Sequence, residues 1–285
     1  MITINAPAKI NLDLHVLGRR KDGFHYLDSF VAFTEFSDKI QVRASDSIKL
    51  IIHGPFGNNT GPKKQNLVFK AAKALKHYMG ISEGAEIVLE KNLPVAAGLG
   101  GGSSDAAATI MALMDLWRPD FELNDFLTVA ADLGSDIPVC LMRQAAFISG
   151  IGENVKPAGG FPSCPILLVN PRIELSTKKV FLRMKNSYSI RSKHDNAPSS
   201  FEELISYLAT GQGNDLRKPA VELVPEISKI LEFFEKDPKC SFANMSGSGP
   251  TCFGLYKDSA SALATAHKCS VENPSWWCVC TNLTS

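Results

Sequence analysis

Between Pro94 and Ala108 the chain reads Pro-Val-Ala-Ala-Gly-Leu-Gly-Gly-Gly-Ser-Ser-Asp-Ala-Ala-Ala, a glycine-dense turn that runs straight into helix-forming residues. That is the layout of a phosphate cradle. Gly98, Gly100, Gly101 and Gly102 carry no Cβ to keep backbone away from an anion, and they permit φ > 0 where peptide N–H groups must converge. The first N–H groups of the following helix have no intrahelical acceptor, and the helix dipole puts partial positive charge at the turn. The commoner phosphate motifs do not fit. No lysine follows the glycines as a P-loop requires, and Ser103 stands where the dinucleotide fingerprint needs its third glycine. A flexible linker is the plain alternative, but linkers do not run from a Val/Leu-rich strand into an Ala-rich helix.

Three further segments carry chemistry. Pro7-Ala-Lys-Ile-Asn-Leu-Asp13 puts Lys9 between Ala8 and Ile10, where it reads either as a snorkelling surface lysine or as a cation at a site. Gly134-Ser-Asp-Ile-Pro138 puts Asp136 in a tight turn after a helix, as an N-cap or as a placed carboxylate. Asn244-Met-Ser-Gly-Ser-Gly-Pro-Thr251 is a second small-residue turn, leading into the apolar strand Cys252–Tyr256. Two glycine turns, one lysine and one aspartate supply what phosphoryl transfer asks for: amides on the phosphates, a cation on developing charge and a group to orient the acceptor hydroxyl.

The elements that must hold these segments follow from periodicity. Leu12, Leu14 and Val16 alternate with Asn11, Asp13 and His15, and Ile48, Leu50 and Ile52 alternate likewise, as strands do. Arg19-Arg20-Lys21-Asp22-Gly23 reads as a solvated hairpin turn. Helical stripes appear at Val68, Ala71, Ala72 and Leu75, at Ile110, Leu113, Met114 and Trp117, and at Phe126, Val129, Ala130 and Leu133, the last followed by Gly134 as a C′ stop. The Gly/Pro-rich stretch from Gly150 to Pro165 is the expected boundary, giving domains 1–155 and 156–285. Beyond it lie helical stripes at Phe201–Leu208 and Ile227–Phe234, strands near Cys252–Tyr256 and Trp277–Cys280, and a polar loop at Lys185–Ser200. Strands and helices mix without regular βαβ alternation, so the class is α+β.

Bulk properties exclude several functions. Thirty basic against 29 acidic side chains give a net charge of +1, which offers no field for nucleic acid or an anionic membrane. There is no signal-peptide pattern and no apolar run of membrane-spanning length, so a cytoplasmic protein is expected. The seven cysteines are odd in number and scattered, as expected of reduced thiols; His267, Cys269, Cys278 and Cys280 lack the paired spacing of a zinc site.

Pro7–Asn11, Pro94–Ser104 and Asn244–Pro250 together resemble the three motifs of the GHMP small-molecule kinases, and the resemblance covers nearly the whole chain. With Gly18-Arg-Arg-Lys-Asp-Gly-Phe-His-Tyr26 and Gly134–Pro138, the chain is similar to the 4-diphosphocytidyl-2-C-methyl-D-erythritol kinase family. This likeness implies an amino-terminal domain like ribosomal protein S5 domain 2, a ferredoxin-like carboxy-terminal domain and an active site in the cleft between them. It also implies an enzyme that uses ATP to phosphorylate the 2-hydroxyl of a cytidine diphosphate-linked polyol, in the non-mevalonate route to isoprenoid precursors. A homoserine or mevalonate type of GHMP kinase and a non-catalytic ATP-binding regulator are the alternatives. Phe24–Tyr26 argues against the first, and retention of Lys9 and Asp136 against the second.

The same resemblance assigns roles. Asp136 would accept the proton of the substrate hydroxyl, and Lys9 would orient that hydroxyl and steady the transferring phosphoryl group. Pro94, Gly98, Leu99, Gly100, Gly101, Gly102, Ser103 and Ser104 would wrap the ATP phosphates, with Asn66, Leu67 and Lys91 lining the adenine pocket and Gly247, Ser248 and Gly249 closing over the site from the second domain. Asn11, Phe24, His25, Thr177 and Phe181 would hold the cytidine substrate. The family often has tyrosine where this chain has Phe24, which removes a phenolic hydrogen bond there. Mg²⁺ is expected with ATP, held through phosphates and water, with Ser104 as a candidate ligand and no protein metal cage. No oligomer, nucleic acid or membrane partner is implied.

Overall fold

The computed structural model describes residues 1–284 other than 119, 121, 185–187, 191–196 and 212. The chain opens with strands β1 (Ile2–Asn11), β2 (His15–Arg19), β3 (His25–Ser45) and β4 (Lys49–His53), then helix α1 (Leu67–Met79) and strand β5 (Gly84–Glu90). Helices α2 (Gly101–Trp117), α3 (Leu127–Leu133) and α4 (Ile137–Met142) follow. The remainder runs through β6 (Ala146–Gly150), β7 (Asn154–Pro157), β8 (Pro165–Asn170), α5 (Thr177–Arg183), α6 (Phe201–Thr210), α7 (Arg217–Leu223), α8 (Glu226–Glu235), β9 (Cys240–Met245), β10 (Cys252–Tyr256), α9 (Ser259–Glu272) and β11 (Trp277–Thr284). Two compact units result, neither continuous in sequence. One holds Met1–Ala8, Ser37–Val95 and Gly100–Arg143, and the other Lys9–Phe36, Ala96–Leu99 and Gln144–Ser285.

In the first unit β4 runs parallel to β5, and β5 pairs antiparallel with Lys39–Ser45 of β3. Ala85, Ile87 and Leu89 of β5 are buried and alternate with the half-buried Glu86, Val88 and Glu90, the alternation of a sheet with one covered face. Helices α1 and α2 pack together, α1 through the expected stripe Val68, Ala71, Ala72 and Leu75. Burying Val68 and Leu75 fully stabilises the unit by about 1.5–3 kcal/mol each. Asn66 caps α1 by accepting the Val68 N–H at 2.9 Å, and Gly80 ends it in the left-handed conformation, φ 64°. Gly134, which the sequence suggests as the same kind of stop, is instead extended at φ 179°, so α3 ends without a left-handed cap.

In the second unit β2 and β3 form the predicted hairpin, closed by Arg20 N–H donating to the Phe24 carbonyl at 2.7 Å, and β6 pairs with β3 and β7. Strands β11, β8, β10 and β9 form an antiparallel ladder, against which α8 and α9 pack, with Ile227, Ile230 and Phe234 of α8 sharing one core with Leu167, Val169 and Cys252 of the strands. The end of β11 pairs with Phe33 and Thr34 of β3. The strand read across Leu12–Val16 is interrupted: Asp13 Oδ1 accepts the Phe30 N–H at 2.6 Å, Leu14 bridges to Asn214, and pairing with β3 resumes at His15. Both faces there are buried, with Asn11, Asp13 and His15 as covered as the leucines. Most of the loop expected at 185–200 lies outside the described residues.

Candidate active site

In the second unit one serine hydroxyl joins three distant stretches of chain. Ser246 Oγ accepts the Asn11 N–H at 3.0 Å and donates to the Gly98 carbonyl at 2.8 Å. Beside it, Lys9 N–H donates to the Leu99 carbonyl at 2.9 Å and Thr251 N–H to the Ala97 carbonyl at 3.3 Å. The first motif, the opening of the glycine turn and the third motif are thereby one hydrogen-bonded body. Its glycines are required by geometry. Gly98 has φ +74°, and a Cβ there would meet Gly249 N and O at 2.9 Å as well as the Ser246 carbonyl. Gly247, φ +56°, approaches the Gly98 carbonyl and Asn11 Oδ1, which a Cβ would meet at 3.0 and 3.2 Å. Asn214 Nδ2 donates to the carbonyls of Met245 and Gly247 at 2.7 and 2.8 Å, fixing the third turn from behind.

Lys9 and Asn11 sit together in this body. The Lys9 Nζ donates to Asn11 Oδ1 at 3.0 Å, and Asn11 Nδ2 donates to Ser29 Oγ at 2.8 Å. Lys9 is 4% exposed, so the snorkelling reading of this lysine is set aside. Thr177 and Ser248 share a hydrogen bond of 2.8 Å between their hydroxyls. His25 and Phe181 stack with ring centroids 4.7 Å apart and planes 22° from parallel, whereas Phe24 is 60% exposed. Burial, with the Arg19 charge adding, holds the His25 ring below the usual histidine range and so neutral near pH 7.

The first unit carries the rest of the glycine turn. Gly100, φ 61°, starts α2 without a side-chain cap, leaving the N–H groups of the first turn for other acceptors. Under that turn lies a buried ion triad. Lys91 Nζ donates to Asp105 Oδ2 at 2.6 Å and to Asp38 Oδ2, and Asp38 Oδ1 also accepts the N–H groups of Asn92 and Leu93 at 2.5 and 2.8 Å. A Cβ on Gly101 would lie 3.1 Å from the Lys91 Nζ, and one on Gly102 3.6 Å from Leu67, so the turn rests directly on these side chains. Burial opposes the Lys91 charge, but the carboxylates of Asp105 and Asp38 outweigh it and hold the ammonium firmly protonated. Burial pushes Asp105 up to about 8, against the pull of Lys91 and with the Asp38 charge adding. Asp136 occupies the N-cap position of α4 in helical geometry and makes no capping bond through its side chain. Its turn lies beside the start of α2: a Cβ on Gly134 would be 3.8 Å from Ser103 Oγ.

The structure therefore brings Lys9, Asn11, Gly98, Leu99, Gly247, Ser248, Gly249 and Thr177 together in one unit, and Leu67, Lys91, Gly101, Gly102, Ser103 and the Asp136 turn in the other. Pro94 and Gly100 enter and start the turn, and Ser104 is buried in the first turn of α2, its N–H donating to the Gly100 carbonyl at 2.9 Å. Two of the residues assigned to the adenine pocket also hold the first unit together. Asn66 uses its side-chain oxygen to cap α1, and the Lys91 ammonium is held between two carboxylates. Ser246, Asn214, Asp38 and Asp105 were missed. Ser246 and Asp105 lie inside motifs already noted, but Asp38 and Asn214 carry no local signal.

Comparison with known proteins gives a consistent result. The model described as GHMP kinases N terminal domain matches residues 66–148, and that described as GHMP kinases C terminal matches residues 192–272. The chain is 39% identical over 275 residues to the 4-diphosphocytidyl-2-C-methyl-D-erythritol kinase of Paramagnetospirillum magneticum, covering 96% of each chain. It is 42% identical over 282 residues to the protein of the same name from Cereibacter sphaeroides, covering 95% of each. Among solved structures, a 4-(cytidine 5'-diphospho)-2C-methyl-D-erythritol kinase matches with a TM-score of 0.78 and 31% identity over 100% of both chains. A mevalonate kinase matches in fold alone, with a TM-score of 0.69 at 15% identity over 100% of both chains.

Proposed function

Since this chain belongs to the 4-diphosphocytidyl-2-C-methyl-D-erythritol kinase family of GHMP kinases, we infer that its three motifs carry out that family's phosphoryl transfer with the residues assigned above. It is an ATP-dependent small-molecule kinase. It transfers the γ-phosphoryl group of ATP to the 2-hydroxyl of 4-diphosphocytidyl-2-C-methyl-D-erythritol, giving the 2-phosphate and ADP, in the methylerythritol phosphate route to isoprenoid precursors. The observation that carries the residue assignment is the Ser246 hydroxyl bond to Asn11 and Gly98, which ties the lysine-bearing strand to both glycine turns.

In this reading Asp136 takes the proton of the 2-hydroxyl as its oxygen bonds to the γ-phosphorus and the bond from that phosphorus to the β-bridging oxygen breaks, releasing ADP. Lys9, oriented by Asn11, offsets charge on the transferring group. Phosphoryl transfer is mostly a matter of position, so the base must be well placed rather than strong. The uncapped first turn of α2 and the backbone from Gly98 to Ser104 receive the phosphates. The single hydroxyl of Ser104 beside the glycine turn fits Mg²⁺ brought in with ATP: Ser104 would be its candidate protein ligand, and the ion would supply charge neutralisation. The exposed face of Phe24 and the neutral ring of His25 against Phe181 suit a cytosine base. Among the described residues no helix is long and apolar enough to cross a membrane, and cytoplasmic action on soluble substrates is part of the proposal.

The test is a coupled ADP-release assay with ATP, Mg²⁺ and 4-diphosphocytidyl-methylerythritol, run beside homoserine and mevalonate, with phosphorus NMR for the new phosphate monoester. Turnover of the cytidine substrate alone is expected. Turnover of another alcohol would void the pocket assigned to Phe24, His25 and Phe181.

A further inference from the structure

Cysteines 269 and 278 take no part in the chemistry just described, yet they are placed as a reactive pair. Cys269, near the end of α9, is fully buried. Cys278, the second residue of β11, is partly exposed, and their Sγ atoms are 2.8 Å apart with both thiols free. A disulfide bond is about 2.05 Å long, so closure requires the sulfurs to approach by only about 0.8 Å. Both ends rest on rigid elements: α9 packs on β8 and β11, and Cys278 sits opposite Val169 in the β8–β11 ladder.

The two sulfurs are electrostatically unequal. The contact with Cys269, the Arg172 charge and the Ser270 hydroxyl hold Cys278 below the usual thiol range, with burial opposing them. The same contact and burial push Cys269 up. Burial raises Cys164, Cys240, Cys252 and Cys280, and within the pair Cys278 is the sulfur that solvent can reach. A metal is the other use for paired thiols. Among the described residues, however, no group of three or more His, Cys, Asp or Glu converges, which leaves the pair short of a tetrahedral zinc set.

We propose that Cys278 and Cys269 form a dithiol–disulfide modification site that exchanges with low-molecular-weight disulfides of the glutathione type. The Cys278 thiolate attacks one sulfur of the oxidant, forming a mixed disulfide and expelling one thiolate. Cys269 then loses its proton to solvent and attacks Cys278 Sγ, expelling the second thiolate. The protein loses two electrons and two protons, and the oxidant becomes two thiols. Because the bridge closes a short loop between α9 and β11, the oxidised protein is more stable than the reduced one.

The experiment equilibrates the full chain in glutathione buffers of graded reduced-to-oxidised ratio, quenches with acid, alkylates free thiols and maps peptides by mass spectrometry. One disulfide between Cys269 and Cys278 is expected, reversible on adding reductant, with the oxidised form melting several degrees higher. Cys269→Ser should trap glutathione on Cys278, and Cys280→Ser on the same strand should leave the bridge unchanged. Alkylation of Cys269 and Cys278 at every ratio in the wild-type chain would overturn the proposal, as would a bridge between other cysteines or glutathione captured on Cys269 in preference to Cys278.

Discussion

Replacing Asp105 by asparagine tests the buried triad beneath the phosphate turn. With Lys91, Asp38 and Asp105 all ionised, one of the two carboxylates would be uncompensated, and Asp105 avoids this by holding its proton up to about pH 8. The unfolded chain releases that proton near 3.8. Between those values the folded state binds a proton that the unfolded state does not, so stability falls as pH rises, by up to about 1.4 kcal/mol per pH unit. From about pH 6 to about pH 8 the loss sums to about 2 kcal/mol. Asparagine at 105 keeps an oxygen for Lys91 and does not titrate, and its amide nitrogen replaces the carboxylate oxygen that has no hydrogen-bond partner. Urea unfolding of both proteins at the two pH values, followed by tryptophan fluorescence, should show the wild type losing about 2 kcal/mol more than Asp105→Asn on going to the higher pH. Titrations remote from the triad are common to both proteins and cancel in the comparison. Parallel stability changes in the two would refute a proton on Asp105 in this range.

Other variants address the site. Asp136→Asn should fold and bind ATP but lose roughly 10²-fold or more in kcat by steady-state assay, the effect of removing a general base. Gly98→Ala, at φ +74° and against the Ser246 carbonyl, should lose about 1–3 kcal/mol of stability by chemical unfolding and raise the KM for ATP. Phe181→Ala should raise the KM for the cytidine substrate about 5- to 150-fold, the equivalent of about 1–3 kcal/mol of stacking, with the KM for ATP unchanged.

How much of this was legible in sequence depended on how local each signal was. The stripe Val68–Leu75 and the run from the glycines into Ile110 carry their period within a dozen residues, and α1 and α2 appear where those periods place them. The Arg19–Gly23 turn was legible for the same reason. The interruption at Asp13 was not, because it depends on an N–H from Phe30, and both faces of that segment are buried by contacts remote in sequence. Lys91 was noticed only through family likeness, and its partners at 38 and 105 share no spacing with it, so a buried triad could not be read from the chain alone. Gly134 shows the limit of residue-type reasoning: glycine permits a left-handed stop, but the extended conformation there serves the turn that carries Asp136 instead.

The single hydroxyl of Ser246 also constrains how the enzyme is made. Its partners lie 235 and 148 residues back along the chain, at Asn11 and Gly98. Contacts of such separation form late and cost loop entropy first. A ribosome adding about 5–20 residues per second exposes the lysine-bearing strand and the glycine turn many seconds before the serine that joins them. Until then neither turn has the partner that shapes it. A nascent chain halted before Ser246 would carry the whole of the amino-terminal family domain and still lack a formed catalytic site, so translation releases activity only near its end.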